Sequence, residues 1–340
     1  MDDCKKRRRF TWPWRVAIVA AVVMSGFGLA FSLQGPGVTP EAERYGWAGP
    51  EAVAEAAGIV KGMPEFMIAG ADGDNETSDV RLWKFSKAVN GGEHFPNVPQ
   101  QVGDCVSWGA ANAVNYLQAV QLARGPPAEF HPAYPPYIYG VSRVLVGNGR
   151  LGNSDGSVGA WAAEGLRKYG VLRSDFEGVP GYSGSVARKW GRRPGPPDEF
   201  VREGQRFPVE TVAAVHSADD VRDSVCNGYP VTIASNWGGR HDRGLSNKHG
   251  RIVFKRSGSW NHQMCIVGYD GSGSEPLFYV LNSWGPSIHP APIDGEPPGG
   301  FWIRAGDVDY ITRQGDSFAF SGFRGFPARE LDFHIVGADR

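Results

Sequence analysis

The clearest hydrophobic pattern in the chain is a helical one that starts at Cys105. Apolar residues recur after it at the spacing of one helix face, at positions 110, 111, 113, 114 and 117. Alanine and leucine favour helices, and the run continues to about Ala123 before Gly125-Pro126-Pro127 ends it. The pattern therefore predicts a helix that contains Cys105 in its first turn.

Three further stretches carry helix signals. Residues 50–59 are rich in alanine, and residues 158–169 follow a helical pattern with basic residues in the last turn. Ser217 and Asp220 have the spacing of a capping box, which predicts a short helix after them. Residues 178–208 are rich in glycine, proline and arginine, and this composition predicts an extended insertion.

From residue 230 onwards the pattern changes to short β-prone segments that turn residues separate. These segments are residues 230–234, 251–254, 262–269, 277–281 and 300–304. An order of helices first and strands second is typical of α+β proteins, and it predicts two lobes with a cleft between them.

The N-terminus has a membrane-type pattern. Residues 5–9 are basic, and residues 16–33 then form an uncharged run of 18 positions, near the lower limit for crossing a bilayer. Because a basic cluster stays cytoplasmic, we expect a cytoplasmic N-terminus over residues 1–15 and a transmembrane anchor or signal segment over residues 16–33. The protein is then membrane-anchored with an extracytoplasmic catalytic domain, or secreted if the segment is cleaved.

Composition narrows the possible functions. The 35 basic and 36 acidic residues nearly cancel, so the sequence predicts no nucleic-acid partner. Four cysteines are too few for a disulfide scaffold and lack the spacing of a zinc site, so we expect neither metal nor organic cofactor. Cys226 and Cys265 either pair or remain as thiols. Residues 34–92 have mixed character and are either a linker or a pro-region.

The predicted position of Cys105 gives it a possible chemistry. Unpaired N–H groups and the positive end of the helix dipole favour a thiolate, which is a nucleophile. Such a group needs a base, and His262 is the one of eight histidines that lies in a strand-like segment. A hairpin brings Asn282 back beside His262, where its amide oxygen can accept the imidazole N–H. Trp284 follows and can shield that hydrogen bond from water.

These residues also carry a resemblance to a known family. Four motifs of this chain occur in the following order: Gly103-Asp104-Cys105, Asn261-His262 before Val267-Gly268-Tyr269, Asn282-Ser283-Trp284-Gly285 and Gly300-Phe301-Trp302-Ile303-Arg304. In this order they resemble the motifs of papain-like (C1) cysteine peptidases of the divergent bacterial type. The resemblance implies a peptidase domain over residues 93–340, with a helical lobe that carries the cysteine helix and a β-barrel-like lobe that carries the histidine and asparagine.

By the same resemblance, the chain hydrolyses peptide bonds of a peptide or protein substrate through an acyl-enzyme on Cys105. His262 is then the general acid/base, and Asn282 orients it. The family usually has an oxyanion-stabilising glutamine six residues before the cysteine, where this chain has Pro99. Gln100 and Gln101 follow directly, and we expect one of them to take that role.

Departures from the family pattern leave two alternatives. Val106 stands where the family usually has tryptophan directly after the nucleophile, and the glutamine is displaced. The chain can therefore be a catalytically inactive papain-like binding or scaffold module. It can also be an amidase or transpeptidase that uses the same triad on a different acyl group.

Overall fold

The computed structural model describes residues 44–66, 79–125 and 128–323. In these ranges the helices are α1 (Pro50–Glu55), α2 (Ala57–Lys61), α3 (Trp83–Val89), α4 (Cys105–Arg124), α5 (Pro135–Gly140), α6 (Gly159–Lys168), α7 (Gly184–Trp190), α8 (Asp198–Gly204), α9 (Ala218–Cys226), α10 (Arg243–His249) and α11 (Ala305–Thr312), with a π-helical segment at Val141–Val146. The strands are β1 (Asp79–Arg81), β2 (Val209–Ala214), β3 (Val231–His241), β4 (Phe254–Asp270), β5 (Leu277–Leu281), β6 (Gly300–Arg304) and β7 (Ser317–Phe323). This order confirms the predicted α+β class.

The strands form one antiparallel sheet in the order β2-β7-β3-β4-β5-β6, with β1 paired to β4. The long central strand β4 pairs with β3 on one side and β5 on the other, so that Ser235 lies opposite His262 and Cys265 lies opposite Leu281. The sheet is open, which corrects the expectation of a barrel-like closure. The β4–β5 hairpin brings the residues on either side of Leu281 close to the segment that begins at His262.

Helix α4 is buried along most of its length because it packs against the sheet and against other helices. Its residues are mainly small or apolar, and a helix that is apolar on most sides belongs in a core. Gly109 lets β4 approach closely, since a Cβ there would lie 3.0 Å from the Gln263 side chain. Gln263 donates through Nε2 to the Val106 carbonyl at 2.8 Å. This bond ties the first turn of α4 to the strand that carries His262.

Several predicted elements agree with the structure. Helix α4 begins at Cys105, α6 ends before Gly170 (φ 69°), and the capping box of Ser217 and Asp220 is present at the start of α9. The prediction of an extended insertion over residues 178–208 was wrong, because α7 and α8 lie within it. Glycine and proline stand mainly at the ends of these two short helices, and Ser183 caps α7 by accepting from the Val186 N–H.

The predicted membrane anchor and extracytoplasmic location are contradicted. No helix within residues 44–66, 79–125 and 128–323 is both long and apolar enough to cross a bilayer. The longest of these helices, α4, has 20 residues but places Asn112, Asn115, Gln118 and Gln121 along its length. The predicted anchor at residues 16–33 lies outside the described residues.

Candidate active site

Cys105 is the first residue of α4, directly after the N-cap residue Asp104, and it is fully buried. Its sulfur faces the main-chain N–H groups of Gln263, Gly46 and Val106. The pKa of Cys105 is raised to about 12, mainly by burial, while these N–H groups act in the opposite direction. The thiol is therefore protonated at neutral pH while it is covered, in contrast to the thiolate expected from its helix position alone.

A hydrogen bond joins His262 and Asn282. His262 is 1% exposed, and its Nε2 lies 2.8 Å from Asn282 Oδ1. The orientation of the amide is fixed because Oδ1 also accepts from the Ser283 N–H at 2.7 Å. His262 Nε2 is thus the donor, which leaves the lone pair on Nδ1. Nδ1 is buried and makes no hydrogen bond within the described part of the chain.

The imidazole of His262 is neutral in this arrangement. Burial lowers the pKa of His262 to about 4, while the Asn282 hydrogen bond and the main chain of Arg44 act in the opposite direction. The Trp284 ring covers the pair, with its centroid 4.6 Å from that of His262, and it is 6% exposed. The Trp284 ring therefore lies between this part of the site and the solvent.

His289 is a member of this cluster that the sequence analysis did not single out. Asn282 donates through Nδ2 to His289 Nε2 at 2.9 Å, so that the amide is held between two imidazoles. Burial lowers the pKa of His289 to about 3, with further contributions from His262 and Arg44. A neutral His289 is required, because only an unprotonated Nε2 can accept. The residue lies in a loop after β5, and no local pattern in the sequence indicates its role.

Gln100 and Gln101 occupy different environments. Gln100 is fully buried beside the asparagine turn: its N–H donates to the Ser283 carbonyl at 2.9 Å, and its Oε1 accepts from Ser283 Oγ at 2.8 Å. Gln100 Nε2 donates to the Val102 carbonyl at 2.9 Å. Gln101 instead directs Oε1 towards α7, where it accepts from the Gly184 N–H at 3.0 Å.

Residues 44–48, which we call the strap, run across Cys105 and the start of the β4 apolar segment. The N–H groups of Gly46 and Trp47 both donate to the Asn261 carbonyl, at 3.1 and 2.9 Å. On the other side, Ser157 donates to the Gly46 carbonyl at 2.7 Å and accepts from the Ala48 N–H at 2.9 Å. The strap therefore lies between Asn261 and Ser157, with the Gly46 N–H at the thiol.

Three glycines make this close approach possible. A Cβ on Gly46 would lie 2.0 Å from the Gly103 carbonyl oxygen, and a Cβ on Gly103 would lie 2.7 Å from the Tyr45 carbonyl oxygen. Gly156 has φ 107° and a Cβ there would lie 2.9 Å from the Gly46 oxygen. Main chain packs directly on main chain here, so that no side chain larger than hydrogen fits at position 46.

The strap is also anchored by its side chains. Trp284 donates through Nε1 to the Arg44 carbonyl at 3.1 Å, and the Tyr45 and Trp284 rings meet edge to face at 5.9 Å. Trp47 is 4% exposed and donates through Nε1 to Asp316 Oδ2 at 2.8 Å. Asp316 is fully buried, and burial raises its pKa to about 6 against the opposing effect of the donors around it.

Asp104 lies next to the thiol and is also fully buried. Tyr182 donates to its Oδ2 at 3.1 Å. Burial raises the pKa of Asp104 to about 8, while the Tyr182 hydrogen bond lowers it. At neutral pH this carboxyl is mainly protonated, and so places little negative charge beside Cys105.

The raised pKa of Asp104 predicts a pH dependence of stability. Between pH 4 and 8 Asp104 keeps its proton in the native state but releases it in the unfolded state. The contribution of this group to the free energy of unfolding is therefore lost as the pH rises through that window. The loss is at most about 1.4 kcal/mol per pH unit. Asp104→Asn removes this dependence. We therefore expect the variant's unfolding free energy, measured with urea at pH 5 and pH 8, to fall less than that of the parent. An equal fall in both proteins would contradict the assignment.

Comparisons with known proteins agree with this architecture. No protein-family model matches the sequence, and no match was found among curated proteins. Among solved structures, xylellain, a cysteine protease from Xylella fastidiosa, is 16% identical, with a TM-score of 0.54 over 83% of this chain and 97% of that chain. The ragweed pollen cysteine protease Amb a 11 in its proform is 14% identical, with a TM-score of 0.54 over 86% of this chain and 72% of that chain. Procathepsin B from Trypanosoma congolense is 9% identical, with a TM-score of 0.50 over 85% and 88%. The chain therefore has the papain-like fold.

Proposed function

We propose that this protein is a cysteine-type peptidase that hydrolyses peptide bonds through an acyl-enzyme on Cys105. The observation that carries the proposal is the His262–Asn282 pair: Nε2 is fixed by Asn282 at 2.8 Å, while Nδ1 keeps an unused lone pair. The bond from Gln263 to Val106 holds this histidine's strand against the first turn of α4, where the thiol lies.

In the proposed reaction, His262 Nδ1 takes the proton of the Cys105 thiol and the sulfur attacks the carbonyl carbon of the substrate. The imidazolium then gives the proton to the leaving amine as the C–N bond breaks. A water molecule, deprotonated by the same nitrogen, attacks the thioester, and the C–S bond breaks to release the acid. The imidazolium then returns its proton to the Cys105 sulfur. Asn282 keeps the ring in the tautomer that both steps require.

The negative oxygen that forms during the attack needs hydrogen-bond donors. The Cys105 N–H lies at the start of α4, where helix N–H groups have no partner within the helix. Gln100 supports the proposal as the second donor, because it is fully buried and Ser283 fixes the orientation of its amide through Oε1, which makes Nε2 the donor end. We assign the oxyanion role to Gln100 rather than to Gln101, whose amide oxygen is engaged by Gly184.

We further propose that the strap acts as a pro-region and keeps the peptidase latent. It covers the thiol and occupies main-chain partners, Asn261 and Ser157, that an extended substrate would use. The group of the strap that faces the sulfur is the N–H of Gly46 and not a carbonyl carbon. The sulfur is therefore not placed to attack a peptide bond of the strap. Release of residues 44–48 is then the step that creates an open site.

The proposal is tested with the full-length chain carrying Gly46→Ala, which cannot keep the strap in place. We expect this variant to cleave members of a library of internally quenched peptides, and Cys105→Ser in the same background to cleave none. Labelling of Cys105 with no peptide cleaved, but with transfer of an acyl group to an added amine, would favour a transpeptidase. If Cys105 does not react and no peptide is cleaved, the result would favour a catalytically inactive binding module.

His289 gives a prediction about positioning. His289→Phe keeps a ring in the site but removes the acceptor for Asn282 Nδ2, so that the amide can rotate away from His262. In the Gly46→Ala background we expect kcat to fall about tenfold, with KM little changed, because the loss affects the proton-transfer group and not substrate binding. His289→Gln, which supplies an acceptor oxygen, should recover part of the rate. Equal losses in both variants would indicate a packing role only.

A further inference from the structure

The turn formed by residues 282–285 lies beyond the end of β5, so its main chain needs partners outside the sheet. Strand β5 ends at Leu281, the last residue that pairs with β4 and with β6. Four main-chain groups follow: the carbonyls of Asn282 and Ser283, and the N–H groups of Ser283 and Gly285. These residues are buried, and an unpaired main-chain group at such a place is costly.

The chain just before α4 runs beside this turn and supplies three of the four partners. Asn97 donates through Nδ2 to the Asn282 carbonyl at 2.9 Å, and its Oδ1 accepts from the Gly285 N–H at 3.3 Å. Three residues later, the Gln100 N–H donates to the Ser283 carbonyl at 2.9 Å. The fourth group, the Ser283 N–H, donates to Asn282 Oδ1 at 2.7 Å. Asn97 therefore holds both ends of the turn that carries Asn282.

The orientation of the Asn97 amide follows from its partners. Its Nδ2 also donates to the Pro298 carbonyl at 3.0 Å, so that two carbonyls take the two amide hydrogens and Oδ1 is the acceptor. Gly299 makes room for this amide, because a Cβ there would lie 2.4 Å from Asn97 Nδ2. The side chain is thus fixed between the turn after β5 and the chain that enters β6.

One planar peptide unit links Asn97 to His262. The Asn282 carbonyl and the Ser283 N–H belong to the same peptide bond, whose atoms lie in one plane and whose two polar groups point in opposite directions. Because Asn97 holds the carbonyl, the N–H is directed at Asn282 Oδ1. That oxygen is then the acceptor for His262 Nε2 at 2.8 Å.

We propose that Asn97 is a positioning residue, which keeps His262 in the tautomer with its proton on Nε2. Without this hold the peptide unit rotates and the Asn282 amide turns over, so that Nδ2 faces His262 and Oδ1 faces His289. His262 then accepts through Nε2 and carries its proton on Nδ1, and His289 changes in the opposite sense. Such a His262 has no lone pair on Nδ1 for the proton of Cys105. The use of that lone pair rests on the proposed peptidase function.

The first test measures the tautomers and needs no substrate. The full-length chain with isotope-labelled histidine is compared with Asn97→Leu by the nitrogen chemical shifts of the imidazole rings at neutral pH. The signals of the two rings are identified by their loss in His262→Ala and in His289→Phe. We expect His262 protonated on Nε2 in the parent, and a second population protonated on Nδ1 in Asn97→Leu, with His289 changing in the opposite sense to the same extent. If both rings keep the parent tautomers in the folded variant, the inference is overturned.

The second test measures turnover in the Gly46→Ala background. We expect Asn97→Leu to lower kcat about tenfold with KM within about twofold, because the tautomer affects proton transfer and not substrate binding. Asn97→Gln, which keeps the donor and the acceptor on a longer side chain, should recover part of the rate. Asn90→Leu is the matched control: Asn90 Nδ2 also donates to two carbonyls, those of Glu93 and His94, and neither belongs to the site. This control should keep the full rate.

Equal losses of kcat in Asn97→Leu and Asn90→Leu, or a rise of KM in place of the fall in kcat, would also overturn the inference. If the Gly46→Ala parent cleaves no peptide, the proposed function fails, whereas the tautomers still decide the role of Asn97. The thermal midpoint of each variant reports whether it is folded. If Asn97→Leu does not fold, Asn97→Asp takes its place in both tests, because it is close in size and lacks the two donors.

Discussion

Gly46→Ala is expected to increase the rate at which iodoacetamide modifies Cys105 at pH 7.5 by at least about tenfold. The new methyl group would overlap the Gly103 carbonyl, 2.0 Å from its oxygen, so the strap must leave its position. Burial is the main cause of the raised Cys105 pKa of about 12. Each unit by which the pKa falls on exposure raises the thiolate fraction about tenfold, and the thiolate is the reactive form.

Gly58→Ala is the matched control for this prediction. It introduces the same methyl group 12 positions further along the chain, in α2, where nothing lies within 4 Å of the added Cβ. We expect its labelling rate to equal that of the parent, and its thermal midpoint to be unchanged or slightly higher. Comparable labelling of Cys105 in the parent, Gly46→Ala and Gly58→Ala proteins would show that the strap does not protect the thiol.

His262→Ala in the Gly46→Ala background is expected to lower kcat/KM for the best peptide by about 10²–10⁴-fold. The variant loses the only group that we assign to move the proton from the thiol to the leaving amine. Asn282 keeps its bonds to Ser283 and His289, so the fold around the site should persist. The measurement is peptide hydrolysis across pH 5–9, since the loss of a group that titrates also removes its limb from the pH profile.

His131→Ala serves as the control, because its ring pairs with Asp175 at 2.7 Å and belongs to no part of the candidate site. It should retain nearly the full rate. A His262→Ala enzyme within a few-fold of its parent would contradict the assigned role, whatever the effect of His131→Ala.

The cysteine helix and the histidine–asparagine hairpin could be predicted because their signals are local. The position of Cys105 follows from a helical pattern that begins at that residue, and the pairing of His262 with Asn282 follows from two strands joined by a short turn. Resemblance to a family added the order of the motifs. The membrane prediction rested on composition in residues 16–33 alone and on no element of the described fold.

The strap could not be predicted, because its contacts join distant parts of the chain through main-chain atoms. Gly46 contacts Gly103, Asn261 and Ser157. The local sequence around a loop glycine does not show whether another main-chain segment packs against it. The Trp47–Asp316 bond has the same property, since neither residue has a local motif. His289 likewise acquires its position only when the loop after β5 folds back on Asn282.

The fate of the Cys105 thiol illustrates the difference between local and long-range effects. Its place at the start of α4 predicts a lowered pKa, and N–H groups do face the sulfur. The strap and the packing around α4 also bury the sulfur. This burial raises the pKa of Cys105 by more than the N–H groups lower it. We therefore expect a thiol that is latent in the intact chain and reactive once the cleft opens.

We propose that Cys105 forms an acyl-enzyme with the help of His262. Intact-mass measurement of the Gly46→Ala chain, mixed with an activated ester of an N-acetylated amino acid and quenched in acid within seconds, tests it most directly. We expect a single acyl adduct that peptide mapping places on Cys105 and that decays on longer incubation. The adduct should be missing in Cys105→Ser and strongly reduced in His262→Ala. The proposal would be contradicted if the Gly46→Ala chain gave no adduct on Cys105. It would also be contradicted if the adduct formed equally with and without His262.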